Sequence, residues 1–128
     1  MTHPILALQS TLVAALRLAG VTVFDAPPQG ALPPYVSIAR HDVLPRDGDE
    51  APAHEHRLLL HAWTAEASRK SAVALAEAVL SAALAATLDS AGLVVTLRRH
   101  DRTDTAIDPA TGWARAAIAM TFYSEPGD

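Results

Sequence analysis

Two runs of helical periodicity and a set of short alternating runs divided by turn residues predict an α+β domain. The expected architecture is a two-layer sandwich, a mainly antiparallel sheet of about four to five strands packed by two helices. The order read along the chain is α-β-β-β-α-β-β. At 128 residues there is room for one domain, spanning residues 1–128. A chain near this size buries roughly two-thirds of the surface its unfolded form exposes, enough for one core.

The first helix is expected over residues 4–19. Pro4 suits a first helical turn, and Ile5, Leu8, Leu12, Ala15, Leu16 and Ala19 form one apolar stripe. Gly20 is a natural stop. Val21, Thr22, Val23 and Phe24 read as a short strand. Residues 25–34 carry Pro27, Pro28, Pro33 and Pro34, which no helix interior or central strand accepts. A second strand follows over 35–43, with Val36 and Ile38 on one face and Tyr35, Ser37 and Ala39 on the other. Residues 44–54 hold two prolines, a glycine and the acidic residues Asp47, Asp49 and Glu50, and read as a mobile hairpin loop.

The central strand is expected over 54–64. Leu58, Leu60 and Ala62 share one face, and Arg57, Leu59, His61 and Trp63 the other. Both faces are partly apolar, so the helices cover one and a partner is expected on the other. Ser68 resembles an N-cap for a second helix over 69–88, with a stripe of Ala72, Leu75, Ala76, Val79, Ala83 and Leu84. A strand over 93–101 turns basic at Arg98 and Arg99. Residues 103–112 read as its hairpin loop, and the last strand runs over 113–124. There Ala116, Ile118, Met120 and Phe122 alternate with Arg115, Ala117, Ala119, Thr121 and Tyr123. The tail 124–128 is expected to fray.

Composition narrows the function. Half of the residues are hydrophobic and 19% are charged, which excludes a disordered charged tail. Ten basic against fourteen acidic side chains leave a net charge of −4, which argues against nucleic-acid binding by general basicity. There is no cysteine, hence no disulfide, cysteine zinc site or thiol chemistry. The longest apolar stretches are broken by Gln9, Ser10, Arg17, Glu77 and Ser81, so no membrane span is expected. The N-terminus lacks the basic segment of a secretory signal, and synthesis in the cytoplasm is expected.

No residue pattern makes a persuasive active site. There is no Gly-x-Ser-x-Gly elbow and no glycine-rich phosphate loop. His41, His54, His56 and Glu50 are the set from which a metal- or ligand-binding site would have to be built, but the plainer reading is surface histidines on strands. The expectation is therefore no enzyme, no cofactor and no metal. Arg98, Arg99 and Arg102 form the one concentration of positive charge, read as an intersubunit ion-pair element in preference to a DNA contact. Trp63 reads as core or interface. Spare apolar surface on a small domain points to oligomerisation.

Several pieces in order give the chain a resemblance to the small tail-completion proteins of long-tailed phages and of phage-like gene transfer particles. They are the helix ILALQSTLVAAL, the proline-flanked run from Phe24 to Ala31 with Pro34-Tyr35-Val36, a variable loop, and the run from His56 to Thr64. A helix with Arg69-Lys70 and Ala76-Glu77-Ala78-Val79 and a closing β-hairpin complete the set. The resemblance covers nearly the whole chain. It implies a structural virion protein, a tail terminator in the neck. Such a protein forms a ring, usually a hexamer, that caps the head-proximal end of the tail tube, ends tube polymerisation and joins tail to head. DNA passes through the ring without specific binding. The implied partners are further copies of the chain, the tail tube protein and the head-closure or adaptor proteins. Another neck ring, a head-closure component, is the alternative in the same class. On this reading Pro33, Pro34, Tyr35, Trp63, Arg98 and Arg99 are interface candidates. Asp47, Asp49 and Glu50 are candidates for a loop facing the lumen or the tube. Six copies at −4 would give DNA a like-charge background of about −24.

Overall fold

In the computed structural model, which describes residues 3–46, 52–90 and 92–127, the elements follow the predicted order. They are α1 (Pro4–Leu18), β1 (Val23–Phe24), β2 (Tyr35–Pro45), β3 (His54–Thr64), α2 (Arg69–Ala85), β4 (Val94–Ile107) and β5 (Ala114–Glu125). The five strands form one sheet in the order β1-β2-β3-β5-β4. Only the β1–β2 pair is parallel. Both helices lie on the same face.

Local chemistry sets the helix ends. The His3 ring accepts a hydrogen bond from the Ile5 amide at 3.1 Å and caps α1. Gly20, with φ of 87°, ends it, and the Gly20 and Val21 amides donate back to the Arg17 and Leu16 carbonyls. Ser68 caps α2 through the Ser71 amide. The α2 helix stops at Ala85, short of the expected Leu88. There the Arg98 guanidinium donates to the carbonyls of Ala83 and Ala86 at 3.0 and 2.5 Å, satisfying groups that another turn would have used. Leu88, beyond the helix, is fully buried, whereas Leu84, expected in the buried stripe, is exposed.

The first strand is shorter than expected, Val23–Phe24 without Val21 and Thr22, and three further strands have shifted boundaries. β4 continues through Thr103–Ile107, which had read as loop, because these residues pair with Ile118–Ala114 and the β-branched Thr103, Thr105 and Ile107 suit a pleated strand. Leu44 and Pro45 belong to β2, opposite Glu55 and His54. At the C-terminus Ser124 is fully buried and Glu125 pairs with Val94, so β5 extends one residue past its expected end. Residues 47–51, with Asp47, Asp49 and Glu50, lie outside the described residues.

The core lies between sheet and helices. Leu8, Leu12 and Leu16 of α1 and Ala72, Ala76, Val79 and Ala83 of α2 form one cluster with Val36, Leu60, Ala116, Ile118, Met120 and Phe122 of the sheet. The alternation read on β3 and β5 holds: Leu58, Leu60 and Ala62 are buried beneath the helices, and Leu59, His61 and Trp63 are half-buried on the far side.

Bulges decide what the edge strands present. β2 shifts register between Ile38 and Arg40, so Ala39 is left over and parity inverts. His41 and Val43 therefore turn to the helix side, opposite Leu58 and His56, while Arg40 and Asp42 turn outward. β4 shifts between Val95 and Leu97 and again between His100 and Arg102, which places both Arg99 and Arg102 opposite outward residues of β5.

Candidate functional site

Two polar constellations stand out, one on each face of the sheet. On the helix side, a chain of hydrogen bonds runs from α1 to β5. The Gln9 amide nitrogen lies 3.1 Å from His41 Nδ1, His41 Nε2 lies 2.9 Å from His56 Nδ1, and His56 Nε2 lies 2.8 Å from Ser124 Oγ. The directions are mutually dependent. An amide nitrogen only donates, so His41 accepts at Nδ1 and carries its hydrogen on Nε2. That hydrogen is donated to His56 Nδ1, which leaves the His56 hydrogen on Nε2 to reach Ser124. Both rings are neutral in this arrangement. Burial pushes both down to about 4; for His56 the positive charges of His41, His54 and His3 act in the same direction, and for His41 Asp42 opposes the shift.

The surface-histidine reading is therefore corrected for His56, which is fully buried. It sits in step with Leu58 and Leu60 on the core side of β3, where only a hydrogen-bonded neutral ring is tolerated. Among the described residues no group of three or more His, Asp or Glu side chains is placed to hold a metal ion. His41 and His56 bond to each other and leave no shared open position between them.

The other face carries no helix. Read across β2, β3, β5 and β4, its ranks are Leu44-Glu55-Tyr123-Leu97, then Asp42-Arg57-Thr121-Arg99, then Arg40-Leu59-Ala119-Arg102. Next comes Ser37-His61-Ala117-Asp104, then Tyr35-Trp63-Arg115-Ala106. The β5 residues in the middle are small, so β5 forms the floor of a trough. Arg40 and Arg57 wall one side, and Arg99 and Arg102 the other. A groove of about 540 Å³ lies over Leu59, Ala119 and Thr121.

Each of those four arginines is held by a carboxylate two residues away on its own strand. The pairs are Arg40–Asp42 at 2.8 Å, Arg57–Glu55 at 2.7 Å, Arg99–Asp101 at 2.7 Å and Arg102–Asp104 at 2.9 Å. Residues i and i+2 of a strand share a face, which is why this spacing pairs them. Arg46 also reaches Glu55, and Arg115 lies 3.9 Å from Asp104. The hydrogen bond from Arg57 holds the Glu55 carboxyl below its ordinary range. Asp101 is lowered chiefly by the Thr121 hydroxyl, at 2.6 Å, and then by Arg99.

One end of this face is aromatic. Tyr35 packs edge-on against Phe24 at 5.6 Å, and Trp63 against Trp113 at 6.3 Å and against His61 at 6.3 Å. Of the interface candidates, Trp63 and Arg99 lie on the helix-free face, and Tyr35 is buried at its end. Pro33 and Pro34 precede β2 at the same end, beside the exposed Leu32. Arg98 points the opposite way, onto α2, so the strand separates it from Arg99. The arginines of the basic cluster find their partners within the chain: α2 carbonyls for Arg98, Asp101 for Arg99 and Asp104 for Arg102. Arg40 and Arg57 were missed as members of this surface. The spacings Arg40-x-Asp42 and Glu55-x-Arg57 on predicted strands carried the signal.

A family model described as tail completion protein gp17 matches residues 4–123. A search of the curated proteins returns no match. Among solved structures, the chain is similar to one in the virion of a native gene transfer agent particle. The two share 25% sequence identity with a TM-score of 0.80, over 97% of this chain and 99% of that one.

Proposed function

Because the chain belongs to the tail completion protein gp17 family, a family of phage-tail structural proteins, we propose that it forms a ring of six copies that caps the head-proximal end of a tail tube. The ring ends tube polymerisation and joins tail to head, and DNA passes through it. The role is structural and not catalytic. The observation that carries the reading is the family match over nearly the whole chain, supported by the full-length likeness to a virion component.

The fold supplies what such a ring needs. A closed ring requires two unlike contact surfaces on each subunit. One sheet face is covered by helices and the other is open, so the two sides of the subunit differ in shape and in charge. Contacts at the proline end, through Pro33, Pro34 and Trp63, and acidic residues Asp47, Asp49 and Glu50 toward the lumen or the tube belong to the same proposal. The net charge of −4 per copy disfavours retention of DNA, since tight binding needs many unpaired cations.

The test is native mass spectrometry of the untagged protein, with negative-stain imaging alone and with tail tubes. Hexameric rings, or density added at one end of the tube with tube growth arrested, are the expected results. A chain that stays monomeric and binds no tube end overturns the proposal. Binding to the portal-adaptor assembly in place of the tube would move the ring to the head side of the neck.

A further inference from the structure

Arg115 differs from the other arginines of the helix-free face. Arg40, Arg57, Arg99 and Arg102 each donate to a carboxylate within 2.9 Å. Arg115 lies 3.9 Å from Asp104, beyond hydrogen-bond length, and Asp104 gives its other oxygen to Arg102. The Arg115 Nε is buried and has no hydrogen-bond partner among the described residues, while the side chain as a whole is 33% exposed. No close bond within the described chain anchors this guanidinium, so it has donors to give. It lines a cavity of about 230 Å³ together with Trp63, Ile107 and Pro109. That is smaller than the roughly 300 Å³ at which small-molecule pockets begin, and it suits one apolar side chain with an acceptor beside it.

The matching segment lies at the other lateral edge of the sheet. Residues 25–34 join β1 to β2, and Leu32 among them is 78% exposed. The segment is stiff. The Ala31 amide donates to the Pro28 carbonyl at 3.0 Å across a turn in which Gly30 has φ of 82°, and Pro33 and Pro34 restrict the backbone after Leu32. Its four prolines offer carbonyls and no N–H, so the segment is rich in acceptors where the cavity has a donor to spare.

We propose that Leu32 of one copy docks in the Trp63–Arg115 cavity of the next, with a carbonyl of the proline segment accepting from the Arg115 guanidinium. The inference rests on the ring reading above and assigns its two unlike surfaces. Placement in the sheet selects a second copy as the occupant. The proline segment leads into Tyr35, and the cavity lies beyond Trp63 in the rank Tyr35-Trp63-Arg115-Ala106. Both therefore stand at one end of the strands, the segment at the β1–β2 edge and the cavity toward β4. In a ring whose strands run along the axis, rotation alone brings such unlike patches together. A side chain held out by a turn and two prolines also loses little freedom on docking.

The chain has two tryptophans, Trp63 and Trp113, which pack against each other at this cavity, so indole emission reports its occupancy. The full-length Leu32→Asp chain, whose cavity has no intact segment to fill it, is titrated with a capped peptide of residues 25–34. A saturable emission shift is expected, absent with a peptide that itself carries Leu32→Asp. Sedimentation and native mass spectrometry then follow assembly. Leu32→Asp and Arg115→Gln are each expected to raise the concentration for half-assembly by about tenfold or more, while Leu32→Met stays close to wild type. Melting of each variant controls for folding. Mixing Leu32→Asp with Arg115→Gln is expected to give pairs and no rings, because one intact segment then meets one intact cavity. Rings that form equally well in Leu32→Asp, or a peptide that leaves the emission unchanged, overturn this inference and leave the ring proposal standing. A wild-type chain that neither assembles nor binds tube ends overturns both. Tail tubes that shift the emission where the peptide does not would give the cavity to the tube protein instead.

Discussion

On the helix-covered face of the sheet the side chains of the Gln9–His41–His56–Ser124 chain are neutral, and each hydrogen bond runs in a direction set by its neighbours. On the helix-free face they are charged and paired two residues apart along the same strand. Both arrangements satisfy polar groups next to apolar ones. They differ in what they tolerate. A buried neutral network fails when one member changes, because the partner left behind has no water to turn to. A solvated ion pair loses little when broken, because water replaces the partner. The covered face therefore holds the fold, and the open face has side chains to spare for contact with something else.

The largest contrast should appear between Phe122 and Leu59, on opposite faces of β5 and β3. Phe122 is fully buried against the helices. Phe122→Ala should cost about 3–5 kcal/mol, the range for a large aromatic removed from a packed core. Leu59→Ala removes a half-buried side chain from the open trough and should cost about 1 kcal/mol or less. Urea unfolding of both variants checks the pair. Equal costs would mean that the open face is packed in the isolated chain.

Next in size is the histidine chain. The unfolded chain binds a proton at each histidine near pH 6.5, whereas in the folded chain His41 and His56 stay neutral until about 4. Between those values the unfolded state holds more protons, so stability falls as pH falls through that window and levels off below it. One proton excluded over this interval corresponds to on the order of 3 kcal/mol; the two rings are coupled and do not count twice. Glu55 and Asp101, held low by their partners, add loss at still lower pH. His56→Ala should cost about 2–3 kcal/mol at neutral pH by stranding His41 Nε2 and Ser124 Oγ, and it should flatten the pH dependence. Denaturation measured from pH 7 to 4 on both proteins decides it. An unchanged slope in the variant would remove the histidines from the explanation.

Arg98 comes third. Its guanidinium joins β4 to the last carbonyls of α2, which makes it a support for the covered face although it lies beside Arg99 in sequence. Arg98→Ala should cost about 1–2 kcal/mol and speed hydrogen exchange in the last turn of α2. Arg99→Ala, one residue away, should leave that exchange unchanged.

These positions also show which parts of the molecule were legible in the sequence. Regular alternation on β3 and β5 grouped Leu58 with Leu60 and Ala116 with Ile118 on shared faces without reference to coordinates, and the structure puts those faces under the helices. The same parity placed His56 among them, but the residue type argued for the surface, and its partners lie on other strands. His41 was not legible. Its place on the helix side depends on the bulge at Ala39, which no residue pattern announces, and strict alternation from Val36 and Ile38 turns it outward. Arg102 is brought into line with Arg99 by the bulge at Asp101. Irregularities of register thus placed His41, Arg40 and Arg102, whereas His56 and Arg57 stand on the regular strand β3, where alternation gave the face but not the partner.

The smallest effect sharpens the comparison most. Arg40 and Asp42 form a well-aligned pair at 2.8 Å, yet Arg40 is 72% exposed. Arg40→Ala should change the stability of the isolated chain by less than about 0.5 kcal/mol, and high salt should do no more. A loss of several times that size would mean that the ion pairs hold the fold and are not available to a partner. A near-zero effect on unfolding, combined with weaker assembly at the same salt, would separate the two faces by function, the covered one for folding and the open one for joining copies.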